Sequence, residues 1–256
     1  MLAFWARSAH ALVAGEPHRI YAQHRVFGGA VVTGNTLMTA SIAAPEVNSG
    51  LLPRSAADVN GIPFDARLEG AYLFWSGSID GRVDRDIDLT AADGTFFNDV
   101  QADRCVTVPA LGGFFYCRAD VSNLLRDRGG AGSFNGTYFA GDVDAEPGFL
   151  RPDGTCVEQR ECQAKYAAWS LVLVYSSASA PAPKDVFVYD GFRHLDEDLN
   201  SPGIDRFTIS DFDFPAGGRA TLAVFALEGD SFLGVPPQDT DPLVPCATCF
   251  DYLKFG

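Results

Sequence analysis

The feature that most constrains this chain is its rhythm. Short apolar stretches recur from residue 26 to residue 255, and Gly, Pro, Asn or Asp interrupts them every few residues. They fall at 26–33, 36–42, 66–79, 83–89, 95–100, 104–108, 114–119, 137–143, 167–176, 185–189, 206–209, 219–227 and 250–255. Runs of this length with turn residues between them read as strands. Gly34-Asn35 reads as the turn between the first two. In Val83-Asp84-Arg85-Asp86-Ile87-Asp88-Leu89 the alternation is strict, so Val83, Ile87 and Leu89 share one face with Arg85 and three aspartates share the other. One helix is expected, with Asp120 as N-cap, a short amphipathic turn over 121–127 and a stop at Gly129-Gly130. The pattern predicts an all-β fold, a β-sandwich of the jelly-roll type with one short helix. No repeat or long linker divides the 256 residues, so 24–256 reads as a single sandwich domain preceded by a segment of its own, 1–23.

Charge narrows the partners. With 19 basic against 33 acidic residues the net charge is −14, and no basic stripe offsets it. Nucleic acid and anionic membranes both require clustered cations, so neither is an expected partner. No apolar run approaches the ~20 residues of a membrane helix. Apolar residues nevertheless make up 47%, enough for a real core.

The six cysteines fall into three local pairs: Cys105 with Cys117, Cys156 with Cys162, and Cys246 with Cys249. The first pair flanks a Pro-Ala-Leu-Gly-Gly stretch and sits across two expected strands, as in a hairpin. Three disulfides by proximity are expected; the competing arrangement is a zinc site, for which the gap between Cys156 and Cys162 is a poor knuckle. Disulfides imply an oxidising compartment and therefore export, to the cell surface or beyond it. The first residues lack a basic start and carry Arg7 within the apolar stretch, so they make a weak signal peptide despite Ala9-His10-Ala11.

Segment 1–23 is apolar at Leu2, Phe4, Trp5, Leu12 and Val13. Chain ends stay ordered only when something ties them down. Two readings follow. Either the segment is a leader or arm folded back on its own domain, or it docks on a neighbouring copy by strand addition.

Candidate chemistry is sparse. Asp84, Asp86 and Asp88, with Asp80 just before them, place carboxylates on one strand face, roughly 7 Å apart at successive sites. A second acidic group, containing Asp196 and Asp198, lies in an expected loop. Calcium, which takes oxygen ligands, is the cation such groups would hold outside a cell; a solvated acidic face is the plainer account. There is no Gly-x-Ser-x-Gly elbow, and His18 and His24 lack the spacing of a zinc protease helix. No catalytic residue is assigned and no enzyme is expected. Asn135-Gly136-Thr137 matches the N-glycosylation acceptor pattern.

Several phrases carry a family resemblance. They are Val32-Thr33-Gly34-Asn35-Thr36-Leu37-Met38, Ala71-Tyr72-Leu73-Phe74-Trp75-Ser76-Gly77, Ala119-Asp120-Val121, Ala168-Trp169-Ser170-Leu171-Val172-Leu173-Val174-Tyr175, Asp185-Val186-Phe187-Val188-Tyr189-Asp190-Gly191-Phe192 and Glu228-Gly229-Asp230. In this order they resemble an uncharacterised β-rich domain near the N-terminus of large exported bacterial surface proteins, often followed by adhesin-like or isopeptide-forming repeat modules. The resemblance implies export, a β-sandwich and a structural or adhesive role. With only Lys165, Lys184 and Lys254 as lysines, a Lys–Asn isopeptide crosslink is not expected. The functional expectation is a secreted structural or adhesive protein of a bacterial surface, most specifically a filament subunit whose partner is another copy of itself. The alternative is a calcium-assisted module binding glycan or another surface.

Overall fold

The computed structural model describes residues 13–38, 51–78, 82–108, 114–126, 133–145, 167–195 and 218–225. Among these, eleven strands and one helix form: β1 Val13–Val26, β2 Gly28–Thr36, β3 Arg54–Val59, β4 Arg67–Ser78, β5 Asp86–Thr90, β6 Phe96–Gln101, β7 Arg104–Val108, β8 Phe114–Asp120, α1 Ser122–Arg126, β9 Gly136–Gly141, β10 Ala167–Ser176 and β11 Lys184–Leu195. A five-stranded sheet runs β2-β10-β4-β8-β7 and a four-stranded sheet runs β3-β9-β5-β6. The described pairings are all antiparallel.

The two sheets enclose the main core. Leu73 and Trp75 of β4, Leu171 and Leu173 of β10, and Phe115 and Cys117 of β8 face Val59 of β3, Ile87 and Leu89 of β5, and Tyr138 of β9. Both buried indoles find acceptors, as buried Trp generally must. Trp169 Nε1 donates to Ser55 Oγ of the opposite sheet at 2.8 Å, and Trp75 Nε1 to the Asp84 carbonyl at 3.2 Å. On one side β2 meets β3 through side chains, with Thr33 Oγ1 donating to the Asp58 carbonyl and Asn35 Nδ2 to the Ala56 carbonyl. These bonds occupy edge groups that would otherwise invite another strand. The expected all-β sandwich with one short helix is therefore the fold.

A third layer covers the outer face of the five-stranded sheet. Among the described residues β1 and β11 pair only with each other and form a ribbon over it. Alternation explains the need. On β4, Tyr72 and Phe74 point away from the main core, as do Val172 and Val174 on β10, Val106 on β7 and Tyr116 on β8. Those side chains meet Val26, Tyr21 and Ala22 of β1 and Val186, Val188 and Phe192 of β11. The central strands are thus buried on both faces, which is why their sequences run almost continuously apolar.

The ribbon is the β2–β10 pair prolonged and folded over. Only Phe27 separates β1 from β2, and pairing passes through it, since the Ser177 N–H donates to the Phe27 carbonyl at 2.6 Å. Across from it, residues 177–183 loop out to make the corner. Gly28 is required there, because a Cβ would lie 1.9 Å from the Tyr175 carbonyl oxygen. Asp65 clasps the loop, accepting from Ser177 Oγ at 2.7 Å and from the Ser179 N–H at 3.2 Å. These bonds hold its carboxyl below the ordinary range, the Ser177 hydroxyl contributing most.

Several sequence expectations change. Gly34-Asn35 is not a turn: β2 runs straight through it, with Gly34 opposite Ser170 and Asn35 opposite Trp169. A Cβ at Gly34 would sit 2.3 Å from the Trp169 carbonyl, so this glycine serves close strand approach. Strands β1 and β3 lie outside the expected strand list except at Val26, and no strand forms over 218–225, within the stretch expected at 219–227. Residues 13–23 of the expected N-terminal segment belong to β1, paired within the chain. Helix α1 lies where it was expected, with Asp120 Oδ1 accepting the Ser122 N–H at 2.9 Å. The stretches at 206–209 and 250–255 lie outside the described residues.

Candidate functional site

Two polar constellations stand out, one beneath the ribbon and one on the outer face of the four-stranded sheet. The first begins with β7 and β8, where Cys105 pairs with Cys117 and, one step along, Arg104 pairs with Arg118. The cysteines point into the main core and form a disulfide, as their hairpin position had suggested. Alternation therefore turns both arginines to the opposite face, toward the ribbon. Like charges directly opposite one another on a sheet repel. Asp190 of β11 resolves this: its Oδ2 accepts from Arg104 Nη1 at 2.7 Å and Arg118 Nε at 2.8 Å.

Asp190 is only 5% exposed. Burial pushes its carboxyl up, but the bonds from Arg118 and Arg104 outweigh that and hold it below the ordinary range. The Tyr116 hydroxyl, hydrogen-bonded to the same carboxyl, also holds it low. Arg104 also binds Glu16 of β1, and Arg118 lies over the ring of Tyr21, 3.7 Å from its centre. Burial, partly offset by Arg118, raises the Tyr21 hydroxyl to about 12. Stacking of Tyr116 on Phe192 and a 2.6 Å bond between His24 Nε2 and the Tyr72 hydroxyl complete the seat of the ribbon. Burial lowers the pKa of His24 below the ordinary imidazole value.

The second constellation is acidic. Asp88 points outward from β5, while Ile87 and Leu89 point in. Neighbouring β6 bulges opposite it, so that Asp99 adopts φ 53° and donates its N–H to Asp88 Oδ1 at 3.0 Å. On the other side Gly141 of β9 pairs with Asp88, and Asp142 follows it with φ 57°. Three adjacent strands thus bring the carboxylates of Asp88, Asp99 and Asp142 within 4.8 Å of one another. That geometry offers three of the six to eight oxygens that calcium takes.

The expected ligand set is redistributed. Asp86 shares the outward face with Asp88 and accepts from Gln101 Nε2 at 3.2 Å. Asp84 precedes the strand and turns inward, where its Oδ2 accepts the Asp144 N–H at 2.6 Å. It is Asp99 and Asp142 that join Asp88; neither is marked by local pattern, because one comes from a bulge and the other from the residue after a neighbouring strand. Asp196 and Asp198, and the cysteines at 156, 162, 246 and 249, lie outside the described residues.

Burial pushes Asp84 up to about 6. Between the ordinary carboxylate range and that value the folded state holds more protons than the unfolded one, so this group lowers stability as pH rises through the window. Asp84→Asn should therefore raise Tm at pH 7.5 and change it far less at pH 4, measured by thermal unfolding. An equal effect at both pH values contradicts the assignment.

No family model matches the chain, and no curated protein or solved structure does. Function therefore rests on the geometry. One concavity, between Ala91, Leu125, Phe134 and Tyr138, measures about 10 Å³ and has room for one water at most. The Asn135 side chain of the glycosylation triplet is already engaged, donating to the Ile62 carbonyl at 2.7 Å and accepting the Ile62 N–H at 2.9 Å.

Proposed function

We propose that this chain is an exported structural module, a self-assembling subunit of an extracellular layer or filament of a bacterial surface. The observation that carries this reading is the Cys105–Cys117 disulfide, embedded against the core of the sandwich. Such bonds persist in oxidising compartments. The architecture supports the structural part of the reading. A sandwich sealed by a long two-stranded ribbon presents strand edges along β1 and β11 on which further strands can be added. A heterologous contact of that kind propagates where a two-fold one closes.

Leu2, Phe4, Trp5 and Leu12 lie outside the described residues, whereas Val13 opens β1 opposite Leu195. A deletion that tests the arm must therefore stop at residue 12, leaving the ribbon whole. The Δ1–12 protein should stay folded with an unchanged Tm and fail to assemble in negative-stain electron microscopy. Assembly identical to the full chain would overturn the role of the arm.

The cluster of Asp88, Asp99 and Asp142 favours a second reading, a calcium-assisted module that binds glycan or another surface. Calcium at a hundredfold excess over its Kd contributes about 2.7 kcal/mol to the folded state. For a chain of this size that raises Tm by about 5–10 °C. Chelation should reverse the shift and Asp88→Asn should abolish it. Indifference of Tm to both calcium and chelator rules this reading out.

A further inference from the structure

We infer that the β1–β11 ribbon is an exchangeable element, which lifts from its own sheet and seats on the five-stranded sheet of a second copy. The inference rests on the reading of the chain as a self-assembling subunit and names the surface through which copies meet. Its first support is the separation of the two cores. Among the described side chains of the ribbon, none belongs to the main core between the sheets or packs against it. The sandwich therefore keeps that core when the ribbon leaves.

The second support is attachment. Both ribbon strands join the five-stranded sheet at the same end, β1 to β2 through Phe27 and β11 to β10 through residues 177–183, while Phe225 packs on the same cluster from further along the chain. A rotation about that corner frees the ribbon as a unit with its own ladder intact. Elements with few buried side chains and solvent-exposed hydrogen bonds open at lower free energy than the core. Of the buried side chains in the second cluster, only Val26 and Val188 come from the ribbon.

The third support identifies the occupant. Lifting the ribbon bares Tyr72, Phe74, Tyr116, Val106 and Val174 as one apolar face, with Arg104 and Arg118 at one side. A matching surface needs a carboxylate between the two guanidinium groups, another beside Arg104, and aromatic rings over Tyr116 and Tyr72. The ribbon supplies these as Asp190, Glu16, Phe192 and Tyr21. A second copy carries the same set. Each sheet can thus take a ribbon from the next molecule, with every contact retained.

Charge reversal tests this. One variant carries Glu16→Arg and Asp190→Arg, so its ribbon is repelled by its own sheet; the other carries Arg104→Asp and Arg118→Asp, so its sheet repels its own ribbon. In trans, each ribbon matches the other variant's sheet. Mixing the two should give a 1:1 complex by size-exclusion chromatography with light scattering, absent from either variant alone. Two monomers in the mixture, each with the buried emission of Trp75 and Trp169 preserved, overturn the exchange. In the wild type, hydrogen exchange should be at least roughly tenfold faster for β1 and β11 amides than for β4 and β10. Equal protection also overturns it, independently of the variants' folding. If the wild type assembles but the mixture does not, the ribbon is not the exchanged surface and the subunit reading stands. If the mixture forms a complex but the wild type never assembles, the exchange stands and the subunit reading falls.

Discussion

Replacing Asp190 by Asn is expected to unseat the ribbon while the sandwich stays folded. The substitution removes the carboxylate shared by two register-paired arginines, of which the Arg118 side chain is 13% exposed and Arg104 30% exposed. Leaving partly buried charges without their shared counter-ion costs about 3–5 kcal/mol, toward the lower end here because Arg104 retains Glu16 and Arg118 retains Asp103 at 3.8 Å. The loss should fall on β1 and β11, whose amides lose protection in hydrogen exchange while those of β4 and β10 keep theirs. Acid should act in the same direction. The Asp190 carboxyl is held low, so its stabilisation is complete above the ordinary carboxylate range and lost as pH falls through its depressed value. Uniform loss of protection across the chain, or none at all, would contradict the separation of the two cores.

The second large effect concerns the disulfide. Cys105 and Cys117 are 12 residues apart in sequence, and closing a loop of about that length is worth about 3 kcal/mol through the unfolded chain. The double replacement by Ser should lower Tm by about 6–12 °C. The consequence also reaches the ribbon. Among the described residues β7 is an edge strand paired only with β8, and it carries Arg104. Without the crosslink its pairing frays and the arginine seat of Asp190 loosens. Trp75 reports locally, because it pairs with Cys117 and faces the same core. A disulfide accepts an electron from an excited indole, so emission should rise when the bond is reduced. An unchanged Tm and unchanged emission after verified reduction would show that the crosslink does not contribute as described.

The legibility of the fold follows from which forces act locally. β4, β8 and β10 were readable because apolar side chains, turn residues and two-residue periodicity lie within the segments themselves. The Cys105–Cys117 bridge was readable for the same reason, since both cysteines sit in one hairpin. β1 was not. Its Glu16, Arg19, Gln23, His24 and Arg25 form a polar segment, and its place is set by pairing with β11 far along the chain. A signal for the third layer was nevertheless present. Tyr72-Leu73-Phe74-Trp75 and Leu171-Val172-Leu173-Val174 do not alternate, and strands apolar on both faces need a cover on each. At Gly34-Asn35, tertiary packing overrode local turn chemistry. The acidic cluster was half readable: Asp88 comes from the expected strand face, but the bulge at Asp99 and the backbone at Asp142 are properties of neighbouring strands.

The central claim, a disulfide-linked sandwich whose ribbon and preceding arm join copies together, meets its most direct test in the assembly state of the purified full chain. Light scattering and negative-stain electron microscopy over rising protein concentration should show ordered linear assemblies that grow with concentration. A monomer at every concentration, with the disulfide intact and the ribbon amides protected, would contradict it.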